Sequence, residues 1–123
     1  MIIDISRKVL NWEGNEATEL WQDGEEVRRR SMPLKGLLAA QVANMKVEPG
    51  EATKAIGIAI KIEKSNGEVE LSADEVSMVM QAISASELAT WVKASVGYLL
   101  DPASVKDQEY MKLLDDLYGE ENA

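Results

Sequence analysis

From Leu34 onward the apolar positions fall mostly at the three- and four-residue spacing that puts side chains on one face of a helix. Leu34, Leu37, Leu38, Val42 and Met45 give the first stripe, opened by Pro33, whose fixed φ suits a first helical position. Val76, Val79, Met80 and Ile83 give another, followed by Leu88, Trp91, Val92, Val96 and Leu99. A last stripe runs through Tyr110, Leu113, Leu114, Leu117 and Tyr118. Two of these helices carry start signatures, because Ser72 stands three residues before Glu75 and Ser84 three before Glu87. In such a pair the hydroxyl accepts from a backbone N–H while the carboxylate reaches back to the N–H of the capping residue. The spacing therefore predicts a helical hairpin, with one helix from about Ala73 to Ile83 and the next starting after Ser84 or Ser86. Asp101-Pro102 then stops that helix and opens another, since Asp caps and Pro fits a first turn. The reading is an amphipathic helix over residues 102–118 and an acidic tail over 119–123 that frays.

Residues 2–30 follow a different pattern. Ile3 and Ile5, with Val9 beyond them, suggest a short opening strand. Gly14-Asn15 and Asp23-Gly24 are turn signals, the second flanked by Leu20-Trp21 and Val27, so residues 1–31 read as a β-hairpin region. Between Glu51 and Lys64 two periods coexist. Ile56, Ile58, Ile60 and Ile62 alternate as in a strand, with Asn66-Gly67 placed as a hairpin turn before Glu68–Leu71. Ala52, Ala55, Ile56, Ala59 and Ile60 also form a helical face, and Pro49 with Glu51 resembles a helix start. The residue pattern leaves both open.

The fold class that follows is α+β, mainly α: an N-terminal β-hairpin region packed on a bundle of about four to five short helices. At 123 residues the chain reads as one domain, with 33–101 as its helical core, and its 46% hydrophobic content suits a single core.

Composition narrows the chemistry. Cysteine and histidine are both absent, which removes thiolate nucleophiles, Cys/His metal sites and imidazole relays. No nucleotide-binding glycine pattern occurs, since Gly36, Gly50 and Gly57 are dispersed. A net charge of −9 disfavours direct contact with nucleic acid or an anionic membrane, and suits a partner with a basic face as well as simple solubility. No apolar run approaches the ~20 residues of a membrane span, and the N-terminus lacks a signal peptide's apolar stretch. A cytoplasmic, non-enzymatic protein without a cofactor or a metal is expected.

The remaining candidates are surfaces. Arg28-Arg29-Arg30 is the only basic cluster, but adjacent residues of an extended segment point to alternate faces, so it reads as a solvated strand edge. Asp115 and Asp116, near Glu120 and Glu121, make the C-terminus acidic; they diverge on one helix, which disfavours a metal, and read as a solvated acidic end, with a partner-facing patch as the alternative. Trp12 and Trp21, near turns, either close the core or anchor an interface; Trp91 reads as core. The candidate partner-binding residues are thus Tyr110, Leu113, Leu114, Leu117, Asp115, Asp116, Trp12 and Trp21.

The order of these signals resembles a group of small, mostly uncharacterised accessory proteins of tailed bacteriophages and prophages. The resemblance rests on the opening strand with the Asp23-Gly24 turn, the helix Pro33–Met45, Pro49-Gly50-Glu51 before an Ala/Ile/Lys segment, and Val69-Glu70-Leu71-Ser72-Ala73-Asp74-Glu75. The Tyr98-Leu99-Leu100-Asp101 ending is similar too, and residues 102–123 extend beyond the likeness. It implies that Glu51–Lys64 is helical, that Asn66-Gly67 ends that helix, and that Glu68–Leu71 is a short extended linker. It implies no catalytic or binding residue. The expected function is a phage or prophage accessory role in assembly or host modulation, exerted in the bacterial cytoplasm through a protein partner. That partner is a phage protein, a host protein or the chain itself as a homo-oligomer. The alternative is an acidic decoy that mimics nucleic acid and blocks a basic-surfaced host or defence protein.

Overall fold

The computed structural model describes residues 1–121, without the side chains of Trp21, Glu120 and Glu121. The described chain is α+β and mainly helical. In order it forms β1 (Ile2–Asp4), β2 (Thr18–Asp23), β3 (Glu26–Ser31), α1 (Leu34–Asn44), α2 (Pro49–Lys64), β4 (Glu68–Glu70), α3 (Ala73–Ala85), α4 (Thr90–Leu100) and α5 (Gln108–Glu121), with a 3-10 turn at Pro102–Ser104. No described helix is long and apolar enough to cross a membrane.

The ambiguous isoleucine segment is α2. It turns Ala55, Ile58, Ala59 and Ile62 into the core and leaves Ile56 and Ile60 exposed, so the alternating isoleucines are divided between two sides. The buried face is therefore rotated from the Ala52, Ala55, Ile56, Ala59, Ile60 face expected from sequence. Its ends suit a helix: Pro49 is at the start with Glu51 in the first turn, and Lys61 and Lys64 lie in the last turn, where the helix dipole favours cations. Glu68–Glu70 is a strand rather than a linker. It pairs antiparallel with β1 in the register Ile3↔Val69, burying those two side chains and leaving Ile2, Asp4, Glu68 and Glu70 outside.

The Ser72 signature forms as expected. Ser72 Oγ accepts from the Glu75 N–H at 3.2 Å, and Glu75 Oε1 accepts from the Ser72 N–H at 2.9 Å. Lys61 Nζ donates to the same carboxylate at 3.0 Å, tying the end of α2 to the start of α3. The Ser72 N–H and then Lys61 hold the Glu75 carboxyl below its ordinary pKa. The Ser84 signature does not form. Burial of Val79, Ala82 and Ile83 carries α3 past Ser84 to Ala85, so this serine lies inside a helix. Ser86 ends α3 instead, donating from Oγ to the Ile83 carbonyl at 2.6 Å, and α4 starts only at Thr90 with no side-chain cap. Pro33, likewise, stands one residue outside α1 in extended conformation.

The last helix also begins later than expected. Pro102–Ser104 makes a separate turn, and the start of α5 is set by Asp107, whose Oδ1 accepts from the Tyr110 N–H at 3.1 Å. Gly119 to Glu121 continue this helix rather than fraying; residues 122–123 lie outside the described chain. The helix α5 docks on the body of the protein. Leu114 and Tyr118 belong to the same continuous core as Leu34, Leu38, Val42, Ile58, Ile62, Val79 and Val96.

In the N-terminal region, Ile3, Ile5, Val9, Leu10 and Ala17 enter the core. The hairpin β2–β3 is instead an outward ribbon, closed by Gly24-Glu25 with Gly24 at φ 65°, a positive value that glycine adopts without steric cost. All of β3 is exposed.

Ser72→Ala should lower stability by about 1 kcal/mol, the usual worth of such a cap, whereas Ser84→Ala should change it by less than about 0.5 kcal/mol. Urea unfolding of the two variants checks this, and equal losses would contradict the assignment.

Candidate functional site

The best-built surface feature starts from a backbone residue, Leu10. It faces Glu16 in an isolated antiparallel bridge flanked by the hydrogen bonds Asn11 N–H to Asn15 O at 2.8 Å and Ala17 N–H to Val9 O at 2.7 Å. In such a non-hydrogen-bonded pair the residue's own N–H and C=O point away from its partner. Leu10 is buried, so both groups need other partners. Tyr118 Oη of α5 accepts from the Leu10 N–H at 3.0 Å, and Ser95 Oγ of α4 donates to the Leu10 carbonyl at 2.9 Å. Two side chains from two helices thus fasten one loop residue.

The Tyr118 ring is held equally closely. It stacks on Tyr98 with centroids 5.3 Å apart, and the Arg7 guanidinium carbon lies 5.0 Å from its centre. Tyr98 in turn donates its hydroxyl to Asp115 Oδ1 at 2.6 Å. Burial, then the Asp115 carboxylate, pushes the Tyr98 phenol up to about 12.

This clamp sets the loop following Leu10 beside α4 and α5. Asn11 Oδ1 accepts from the Glu13 and Asn15 N–H groups, fixing the turn, and Gly14 sits close to Leu117. Trp12 projects from the loop, 71% exposed, and meets Trp91 edge-on at 5.9 Å between centroids. Tyr110 (37% exposed) and Leu113 (64% exposed) stand on α5 opposite. Between them lies an apolar cleft of about 150 Å³ lined by Asn11, Trp12, Trp91, Ser95, Tyr110, Leu113, Leu114 and Leu117. Asn11 Oδ1 and Ser95 Oγ are already hydrogen-bonded, so the cleft suits an apolar group.

Of the residues expected to bind a partner, Trp12, Tyr110, Leu113, Leu114 and Leu117 meet at this cleft. Leu114 is buried beneath it, and Leu117 is partly buried. Trp12 is not the core closure that its apolar mass suggested, and Trp91 is only partly buried, packed against the core edge. Asp115 and Asp116 are both exposed, and Asp115 accepts the Tyr98 hydroxyl. Trp21 stands opposite Arg28 in the β2–β3 ribbon, and its side chain lies outside the described residues. Ser95 was missed by sequence reasoning; a polar residue beside the apolar stripe of Val92, Val96 and Leu99 was its only signal.

A larger groove of about 470 Å³ runs along α1 at the base of the ribbon, between Met32, Pro33, Leu37 and Leu88 and the ion-paired Glu19 and Arg30. The exposed Trp12, Tyr110 and Leu113 side chains gather at the smaller cleft. Among the described residues no group of three or more carboxylate side chains is placed to hold a metal ion. Compared with protein-family models, curated proteins and solved structures, the chain has no match.

Asp115→Asn should cost about 1–2 kcal/mol by weakening the charged hydrogen bond to Tyr98, whereas Asp116→Asn should cost less than about 0.5 kcal/mol. The Tyr98 phenol is raised from 10.0 to about 12, so the stability linked to it is fully present below 10 and is lost as pH rises through about 12. Asp115→Asn should shrink that alkaline loss, as read from urea midpoints at neutral and alkaline pH.

Proposed function

We propose that this protein is a non-enzymatic accessory factor of a tailed bacteriophage or prophage that works in the bacterial cytoplasm by holding another protein at the Trp12–Leu113 cleft. The observation that carries the reading is the exposure of Trp12 and Leu113 on either side of an apolar cleft whose lining oxygens Asn11 Oδ1 and Ser95 Oγ are already hydrogen-bonded. Tryptophan and tyrosine over a small pocket are the composition of an interface anchor, because they bury large area at low conformational cost. The absence of cysteine and histidine supports a binding role over a catalytic one, and the resemblance of residues 1–101 supports the phage setting. The acidic decoy is the second reading, supported by the net charge of −9.

Salt separates the two readings. Apolar anchoring survives high salt, whereas charge-driven mimicry is screened over ~8 Å at physiological ionic strength. The tagged protein and its Leu113→Glu variant should be used to capture partners from phage-infected and uninfected lysates, washed at low and high salt. One protein retained by the parent at high salt and lost with Leu113→Glu is the expected result. Equal retention by both proteins would overturn the cleft assignment. Loss of everything at high salt, with nucleic-acid-binding proteins in the low-salt fraction, would favour the decoy.

A further inference from the structure

The β2–β3 ribbon and the cleft are complementary in three respects. The register Leu20↔Arg29 and Gln22↔Val27 puts Leu20, Val27 and Arg29 on one face of the ribbon, since cross-strand partners and alternate residues share a side. Leu20 is 62% and Val27 67% exposed, so this face has apolar side chains with nothing over them in the isolated chain. The cleft, for its part, has room for one aliphatic side chain.

Charge supplies the second respect. On the opposite face of the ribbon Arg28 pairs with Glu26 at 2.7 Å and Arg30 with Glu19 at 2.8 Å. Arg29 donates only to the neutral Thr18 Oγ1, at 3.2 Å, and forms no ion pair among the described residues. Acids neighbour the residues that line the cleft: Glu13 is exposed next to Trp12 on the loop, and Glu109 and Asp116 lie within one turn of Leu113 on α5, with Lys112 the one cation of that stretch. Among the described residues Arg29, without an ion pair, thus stands on the same ribbon face as the apolar Leu20 and Val27, and acids lie close to the cleft.

The third is that the two surfaces do not satisfy each other within one molecule, because Leu20 and Leu113 are both exposed in it. We infer that the cleft takes the ribbon of a second copy of this chain, with Leu20 entering between Trp12 and Leu113 and Arg29 reaching the Glu109 and Asp116 carboxylates. This rests on the cleft being a protein-binding site, and it names the chain itself as an occupant. The contact is between unlike surfaces. It closes into a dimer when each copy gives its ribbon to the other and otherwise continues into a longer assembly.

Sedimentation of the full chain across a wide concentration range tests it, with Leu20→Asp and Leu113→Asp as the two half-defective proteins. All three substituted or parent side chains are on the surface, and circular dichroism verifies that each variant is folded. The parent should self-associate, and Arg29→Glu should weaken that association about tenfold, a change of ~1.4 kcal/mol. Each half-defective protein alone should be monomeric, and their equimolar mixture should form a heterodimer through the one intact ribbon and the one intact cleft. Self-association of Leu20→Asp alone would mean cleft against cleft, and of Leu113→Asp alone ribbon against ribbon; either overturns the inference. A parent that stays monomeric overturns it too. In that last case capture of a different protein, lost with Leu113→Glu, would leave the proposed binding role standing.

Discussion

The hydrogen bond from the Leu10 N–H to the Tyr118 hydroxyl is the constraint on which the candidate site depends. It joins residues at opposite ends of the chain inside the core. A buried backbone donor without an acceptor costs about 1–3 kcal/mol, so the loop and α5 each have a strong reason to stay in place. Ser95 completes the arrangement from α4, and the Tyr98 stack and Arg7 guanidinium keep the Tyr118 ring from shifting. Trp12 can then stand in solvent at one rim of a preformed cleft, held by the backbone beneath it rather than by burial of its own side chain. Such preorganisation lowers the ordering cost that a binding surface otherwise meets on association.

The molecule divides into a tightly packed body and two outward features. The body consists of the helices and the β1–β4 pair, whose apolar residues form one cluster. The outward features are the β2–β3 ribbon and the Trp12–Leu113 cleft, which hold most of the large apolar side chains exposed outside α2 and the N-terminus. They also carry local charge: the ribbon bears Arg28, Arg29 and Arg30, and α5 bears Glu109 and Asp116 within one turn of Leu113. An acidic protein that gathers three arginines on a projecting ribbon keeps solubility while retaining one local surface suited to acidic partners.

Sequence reasoning went far where a feature was local and failed where two distant segments had to meet. The Ser72–Glu75 cap, the first helix and the Asp23-Gly24 hairpin turn were legible because each depends on a few neighbouring residues. Ser84–Glu87 has the same spelling as Ser72–Glu75, yet burial of Val79 and Ile83 carries the helix through it. Tertiary packing there outweighs a cap worth about 1 kcal/mol. The isoleucines of α2 satisfied two periods at once, and only burial on α1 and β-strand partners elsewhere decides which period operates. The extended residues 68–70 were recognisable, but their partner β1 lies so far upstream that no turn signal links them.

For the site, the α5 stripe and Trp12 were named separately as candidate interface residues, and the structure brings them to one cleft, whereas the acids were not equivalent as their adjacency suggested. Both are exposed, but Asp115 accepts the Tyr98 hydroxyl. The clamp itself was invisible, since nothing in the sequence couples Leu10 to Tyr118 or marks Ser95 as a backbone partner. The most direct measurement is therefore hydrogen exchange of the Leu10 amide by nuclear magnetic resonance. Exchange as slow as that of the core helices, becoming fast in Tyr118→Phe while Val79 and Val96 stay protected, is the expected result. A Leu10 amide that exchanges in the parent as freely as an exposed loop amide would contradict the clamp, and with it the preformed cleft.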